Sequence, residues 1–192
     1  MWPRWEWVEI QSPAEDRLLK ILKDYLGLAL ISGLVVALDQ WSKYFVRLNL
    51  APREQWSPWE WLAPYARIIN SSNTGAAFGI FKDGALFFTV VAILVSIAII
   101  IYYPRVPRSQ TALRVALALQ LGGAIGNLVD RLLQGGQVTD YISVGRFPVF
   151  NVADAAIFLG VVILLASSLI EGRRSRKEAE SETPGNIEPS TG

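Results

Sequence analysis

Residues 84–101 read GALFFTVVAILVSIAIII and contain no charged side chain. A helix needs about 20 mostly apolar residues to cross the hydrocarbon core of a bilayer, and this run approaches that length. Three further apolar runs cover residues 25–38 (continuing to about residue 48), 115–129 and 155–170. These three runs are short for a transmembrane helix unless a terminal carboxylate lies in or near the membrane. A single apolar run of about 10–14 residues would also fit a buried helix of a soluble protein. Four runs in one chain predict an all-α integral membrane protein with four transmembrane helices.

The composition agrees with membrane insertion and limits the possible chemistry. The chain has 192 residues, of which 52% are hydrophobic and 18% charged, whereas soluble domains average about 25% charged residues. This length predicts one domain. The absence of Cys and His excludes disulfides, Ser-His triads and HExxH zinc sites, and the net charge of +1 gives no basic field for nucleic acid. We therefore expect no metal and no other cofactor.

The distribution of basic residues predicts how the helices are oriented. Four spans place both termini on one side, which then holds eleven of the 18 Lys and Arg residues, against seven on the opposite side. The connection at residues 102–114, YYPRVPRSQTALR, carries three Arg and no acid. Because short cytoplasmic loops are enriched in Lys and Arg, we expect both termini and this connection in the cytoplasm.

Four aspartates fall at one depth in this arrangement. Asp39 and Asp130 lie at the outer ends of the first and third helices, Asp154 begins the fourth helix at its outer end, and Asp140 lies in the connection before it. The position of any single Asp is adequately explained by the charge that helix ends commonly carry where they meet water. Four on one face of the membrane favour a functional site, since ionisable groups at membrane depth are costly.

Asparagines accompany these carboxylates. Asn127 and Asp130 are three residues apart and share a helix face, with Arg131 beside them. Asn151 and Asp154 have the same spacing, although an Asn at the start of a helix is equally well explained as an N-cap.

Two other features have mainly structural explanations. Gly122, Gly123 and Gly126 allow helices to approach closely in a bilayer, a packing role that needs no catalysis. The segment at residues 49–83 is rich in Trp and contains NTGAAFGIF at residues 73–81. It predicts a small extracytoplasmic platform between the first two helices, or else an ordinary Gly-rich loop.

Paired carboxylates suit one chemistry in particular. Two neighbouring carboxylates cannot both ionise easily, so one holds a proton while the other acts as a general base that activates water against a peptide carbonyl. Asp154, near a helix N-terminus, is biased toward its charged form, but a coupled pair titrates as a unit and the order stays open. Ser42 and Lys43 make a poor catalytic dyad, because adjacent helical residues point about 100° apart.

Two other functions remain open from the residues alone. A small transporter or proton channel would also use clustered Asp and Asn, but it predicts polar residues continuing toward the cytoplasmic side. The second and fourth runs instead stay apolar away from their outer ends. A structural scaffold without chemistry would tolerate Asp-to-Asn substitutions.

Five blocks in order along the chain carry a family resemblance. They are LDQWSK (38–43), NTGAAFG (73–79), GGAIGNLVDR (122–131), VTDYI (138–142) and FPVFNVADA (147–155). Over residues 25–170 the sequence resembles signal peptidase II, the bacterial prolipoprotein signal peptidase. The resemblance implies an aspartyl endopeptidase of the bacterial inner (plasma) membrane, with its active site near the extracytoplasmic face. Its implied substrates are diacylglyceryl-modified prolipoproteins, which are cut just before the lipidated cysteine. Membrane lipids would surround an enzyme that we expect to be a monomer.

The resemblance also implies roles for individual residues. Asp140 of VTDYI and Asp154 of FNVAD would form the catalytic pair, with Asp130 of GNLVDR as the alternative to Asp140. We prefer Asp140 because Asp130 is free to pair with Arg131 or with a neighbouring helix. The short stretch between VTDYI and FNVAD departs from many family members and leaves the shape of that loop open. The supporting or substrate-binding residues would be Asp39, Asn73, Asn127, Asp130, Arg131 and Asn151.

The sequence and the resemblance together predict three segments, and the resemblance does not cover the two terminal ones. Residues 1–23 form a cytoplasmic N-terminal extension whose tryptophans either rest at the membrane interface or belong to a mobile polar segment. Residues 24–170 form the four-helix membrane protease domain. Residues 171–192 are charged and then rich in Ser, Thr, Pro and Gly, which predicts a disordered cytoplasmic tail.

Overall fold

Four long helices dominate the computed structural model, which describes residues 13–73 and 84–182. Each contains a segment of 22 to 29 residues that is long and apolar enough to cross a membrane. The predicted four-helix membrane fold is therefore confirmed. The elements in chain order are helix α1 (Pro13–Asn49), strands β1 (Gln55–Trp56) and β2 (Ala66–Asn73), helix α2 (Gly84–Tyr102), a 3-10 turn (Tyr103–Arg105), helix α3 (Thr111–Leu133), strand β3 (Val138–Val144) and helix α4 (Val152–Glu182).

Helix α3 lies at the centre of the bundle. In the most apolar 18-residue stretch of α3, 56% of the residues are buried, against 17–22% in the other three helices. The large apolar side chains of those three helices stay exposed, as expected for lipid contact. The burial of α3 follows from its run of small residues. A Cβ atom on Gly122 would lie 2.7 Å from the Cβ of Val35 on α1, and one on Gly123 would fall against the carbonyl oxygen of Ala153 on α4. The packing role predicted for these glycines is confirmed.

A small antiparallel sheet, in the order β1-β2-β3, covers one end of the bundle. Strand β2 pairs with β3 so that Ser71 lies opposite Asp140 and Asn73 opposite Val138, with an irregularity in register between Ile68 and Ser71. The segment predicted as a platform thus contributes two strands that the sequence analysis did not predict. Residues 74–83, which include most of the NTGAAFG block, lie outside the described residues.

The opposite end of the bundle is closed by an ion-pair cluster. Asp24 on α1 accepts hydrogen bonds of 2.9 Å from both Arg108 and Arg114. The Arg114 guanidinium also lies 4.3 Å from the ring centre of Tyr103 and donates to the Val106 carbonyl. These contacts fix the connection between α2 and α3 against α1, far from the sheet.

Both terminal helices extend beyond the membrane segments. Helix α1 begins at Pro13, inside the predicted N-terminal extension, and residues 1–12 lie outside the described residues. Helix α4 continues to Glu182, so residues 171–182, which the sequence analysis placed in a disordered tail, are helical. Their Arg, Lys, Glu and Ala content explains the difference, because these are strong helix formers. Residues 183–192 are not described.

Candidate active site

Asp140 is buried in β3, with only 4% of its surface exposed. Its Oδ2 accepts a hydrogen bond of 3.0 Å from the side-chain amide of Asn73 on the neighbouring strand β2. Its Oδ1 accepts one of 2.7 Å from the amide of Asn151, the residue just before α4. The strand pairing therefore presents this carboxylate to the start of α4.

Asp154 lies in the first turn of α4 and takes part in a reciprocal helix cap. The Oδ1 of Asn151 accepts from the Asp154 backbone N–H at 2.9 Å, and the Asp154 Oδ2 accepts from the Asn151 backbone N–H at 3.3 Å. This pattern satisfies donors that a helix start leaves unpaired. The other carboxylate oxygen, Oδ1, accepts a hydrogen bond of 2.7 Å from the amide of Asn127 on α3. Asn151 is thus both an N-cap and a partner of Asp140, so the two explanations for it are compatible.

Two side-chain amides connect the carboxylates of Asp140 and Asp154. Asn151 Nδ2 donates to Asn127 Oδ1 at 3.1 Å as well as to Asp140. Asn127 Nδ2 in turn donates to Asp154. We call this path from Asp140 through Asn151 and Asn127 to Asp154 the amide bridge.

Burial raises the pKa of Asp140 to about 6, and the nearby charge of Asp154 also raises it. Hydrogen bonds from Asn73 and Asn151 and the charge of Lys43 oppose this rise, because they favour the ionised form. Asp140 therefore retains a proton more readily than an ordinary aspartate.

Asp39 anchors α1 to the start of α4. Its Oδ1 accepts from the backbone N–H of Ala153 at 2.9 Å, and its Oδ2 lies 2.7 Å from the Nζ of Lys43, one turn along the helix. Both Asp39 and Lys43 are fully buried. Ser42 points elsewhere and accepts from the Tyr141 hydroxyl at 2.6 Å. The weak prospects of a Ser42–Lys43 dyad are confirmed.

Asp130 ties α3 to both α1 and β3. Its Oδ2 accepts from the backbone N–H of Thr139 at 2.8 Å and lies 3.5 Å from Lys43 Nζ, while its Oδ1 accepts from Arg47 at 3.3 Å. Its charged partners are therefore on the neighbouring helix α1, one of the two possibilities the sequence left open, and not the adjacent Arg131. With two cations and a backbone donor around it, Asp130 is less available to activate water than Asp140.

Arg131 faces a cavity of about 400 Å³ between α2, α3 and α4 that Asp154 and Asn127 also line. Its guanidinium lies 5.7 Å from the ring centre of Phe88, and its buried Nε has no hydrogen-bond partner among the described residues. The other lining groups on α2 and α4 are mostly apolar. This cavity therefore offers an apolar groove with a donor and a carboxylate at one end.

The structure brings all eight predicted site residues to one end of the bundle. Sequence reasoning missed Lys43, Arg47 and Thr139, which hold Asp39 and Asp130 in place. A signal was available, because Asp39, Lys43 and Arg47 follow each other at intervals of four residues, the spacing of ion pairs along a helix.

Such a constellation, with buried carboxylates linked by amides at one end of four membrane-spanning helices, defines a membrane protein built around an acidic site. Comparisons with known proteins make this class specific. The profile of the family described as signal peptidase (SPase) II matches residues 31–170. The chain belongs to the signal peptidase II family, and it is therefore a peptidase and a multi-pass membrane protein. This membership replaces the transporter and scaffold alternatives.

Individual relatives agree over most of the chain. The lipoprotein signal peptidase of Moorella thermoacetica is 40% identical over 149 residues, covering 78% of this chain and 97% of the relative. That of Brevibacillus brevis is 37% identical, covering 77% and 97%. Two solved structures of bacterial membrane enzymes each align with a TM-score of 0.67. The first is 27% identical and covers 84% of this chain and 94% of its own. The second is 29% identical and covers 74% of this chain and 92% of its own.

Proposed function

We propose that this protein is an aspartyl endopeptidase that uses Asp140 and Asp154 to activate water. Its substrates are diacylglyceryl-modified prolipoproteins, from which it removes the signal peptide just before the lipidated cysteine. The names of the relatives support this substrate class. The observation that carries the catalytic assignment is the amide bridge, which links the buried carboxylate of Asp140 to the half-buried carboxylate of Asp154 at the wall of an open cavity.

The charge balance around the site supports a pair that shares one proton. Four buried or partly buried carboxylates face three cations in this part of the described chain, so one bound proton makes the set neutral. Burying an uncompensated charge is expensive, which favours this neutral state. The carboxylates are those of Asp39, Asp130, Asp140 and Asp154, and the cations are Lys43, Arg47 and Arg131.

The proton resides on Asp140 at rest, while Asp154 is the base. The raised pKa of Asp140 favours its acid form. Asp154 lines the cavity and is half-buried, so its carboxylate is the one placed to accept a proton from water. Asp154 removes a proton from water as the water attacks the scissile carbonyl, and Asp140 donates its proton to the carbonyl oxygen. Asp154 then transfers that proton to the amide nitrogen as the C–N bond breaks, and Asp140 takes back a proton from a hydroxyl group of the tetrahedral intermediate. Product release leaves one proton on Asp140, which restores the pair.

The cavity between α2, α3 and α4 binds the segment around the cleavage site. Its apolar walls suit a signal peptide that arrives from the bilayer, and small residues at the cut suit a groove of about 400 Å³. Arg131 and Asn127 lie where they can bind substrate backbone carbonyls. The site is on the extracytoplasmic side of the bacterial inner membrane, both termini are cytoplasmic, and the enzyme acts as a monomer surrounded by lipid.

Replacement of either catalytic aspartate tests the assignment. Asp140→Asn and Asp154→Asn should each lower the cleavage rate of a lipidated precursor peptide by roughly 10⁴-fold, the loss expected when one member of a catalytic unit is removed. Both variants should still insert and unfold cooperatively, since the amide keeps the shape of the carboxylate. Cleavage would be followed by mass spectrometry with purified protein.

The controls separate the chemistry from the substrate class. The Glu60→Gln variant, a matched carboxylate-to-amide change at an exposed position, should cleave the lipidated precursor at the normal rate. An unlipidated precursor should remain uncut by the unmodified enzyme. Normal cleavage by either Asp variant would refute its role, whereas equal cleavage of both precursors would refute only the requirement for lipid.

A further inference from the structure

Lys43 is a buried charge that takes no part in the proton transfers of the proposed mechanism. None of its surface is exposed, and its ammonium group has three acceptors around it. Asp39 Oδ2 lies at 2.7 Å, Asn127 Oδ1 at 3.0 Å and Asp130 Oδ2 at 3.5 Å. The two carboxylates offset its charge. The contact with Asn127 adds nothing to that balance, and so it has a different consequence.

A neighbouring ammonium group determines the orientation of the side-chain amide of Asn127. The oxygen and nitrogen of an Asn side chain have nearly the same shape, so the hydrogen-bond partners determine its orientation. A lysine ammonium can only donate, and therefore the atom of Asn127 beside Lys43 must be its oxygen. The nitrogen of Asn127 is then turned toward Asp154, to which it donates at 2.7 Å.

The same constraint passes to the second amide. Because the oxygen of Asn127 is fixed, it can accept from Asn151 Nδ2 at 3.1 Å. That nitrogen also donates to Asp140 at 2.7 Å. If Asn127 were reversed, two amide nitrogens would face each other and Asp154 would face an amide oxygen. One ammonium group thus determines that both amides present donors to the two carboxylates.

We propose that Lys43 is a positioning residue for catalysis, acting through Asn127 to keep the donors of the amide bridge directed at Asp154 and Asp140. This inference rests on the proposed function, since it assumes that these two carboxylates perform the cleavage. A purely structural Lys43 would matter only through its charge, whereas a positioning Lys43 matters through its hydrogen bond to Asn127.

Two double variants with equal charge distinguish these roles. Asp39→Asn combined with Lys43→Met keeps the cluster neutral but removes the donor to Asn127, while Asp39→Asn combined with Lys43→Gln keeps a donor. We expect the Met variant to lose about 100-fold in kcat, the loss expected from a misplaced catalytic group, with KM changed much less. The Gln variant should recover at least part of this loss. Equal kcat in the two folded variants would overturn the proposal.

A second experiment applies even if the Met variant does not fold. Lys43→Ala, which removes the donor to Asn127, should lower kcat in the otherwise unchanged protein but cause a much smaller loss in an Asn127→Ala background, because the two residues act in series. An equal loss in both backgrounds would overturn the proposal. Lys23→Met, at an exposed position of the same helix, is the matched control and should behave like the unmodified enzyme. Failure of the catalytic assignment is recognised separately, by normal cleavage in Asp140→Asn or Asp154→Asn.

Discussion

Asn73 and Asn151 surround the carboxylate of Asp140 with amide donors, at 3.0 and 2.7 Å, and bring no charge of their own. A second cation beside Asp140 would favour its ionised form and remove the proton needed for catalysis. Neutral donors satisfy its oxygens and oppose the rise in its pKa, but the effect of burial is larger, so the pKa of Asp140 stays raised. The choice of amides at this position therefore suits a carboxyl group that must act as an acid.

The pH dependence of cleavage should report this proton. With a pKa of about 6, Asp140 is protonated below that pH and loses its proton as the pH rises through it. We expect kcat/KM to fall along an alkaline limb near pH 6, because the pair then lacks its acid. Asn73→Ala removes a hydrogen bond that lowers the pKa of Asp140, so it should move the limb to higher pH. An unmoved limb in this variant, or activity that increases through pH 6, would contradict the assignment.

At the scale of elements, the contact between α3 and α4 sets the position of Asp154, one of the two proposed catalytic carboxylates. Gly123 allows α4 to approach so closely that an added Cβ would meet the Ala153 carbonyl and the side chain of Ile157. Backbone atoms cannot give way as flexible side chains do, and Asp154 directly follows Ala153. Any separation of the two helices would therefore move Asp154 relative to Asn127.

Gly123→Ala should for this reason impair both stability and cleavage. Overpacking of a tight contact costs about 1–3 kcal/mol of unfolding free energy, and the displaced Asp154 should lower kcat. Thermal unfolding in detergent and the cleavage assay measure the two effects. Gly33→Ala on α1 is the matched control, because a Cβ there meets nothing within 4 Å. Equal unfolding midpoints for the two variants would show that the close approach is not needed.

The helices were predictable from sequence, but the strands and part of the site were not. Apolar composition over some 20 residues is a local signal, so four spans could be recognised. Strand β2 is polar over residues 70–73, and its pairing of Ser71 with Asp140 joins distant parts of the chain, which no local pattern encodes. Lys43 was missed for a related reason. Oppositely charged residues four positions apart, such as Asp39 and Lys43, normally lie on an exposed helix surface. Here only the close packing of α3 buries them.

At the scale of the whole molecule, the two ends of the bundle carry different charge arrangements. One end holds the acidic site and the sheet, with Asp39 and Asp130 in ion pairs to α1. The other end holds Asp24 between Arg108 and Arg114, which are two of the three Arg residues in the connection at residues 102–114. Basic connections are retained on the cytoplasmic side, so this asymmetry predicts that the site end faces outward.

Site-directed labelling can test this orientation directly, because the chain contains no Cys. Glu60→Cys introduces an exposed thiol between β1 and β2, and Ser109→Cys introduces one in the connection between α2 and α3. In intact spheroplasts a membrane-impermeant maleimide should label position 60 but not position 109, and both should react after lysis. The unsubstituted protein should remain unlabelled throughout. Labelling of position 109 in intact spheroplasts would reverse the orientation and place the paired aspartates on the cytoplasmic side, where a translocated precursor could not reach them.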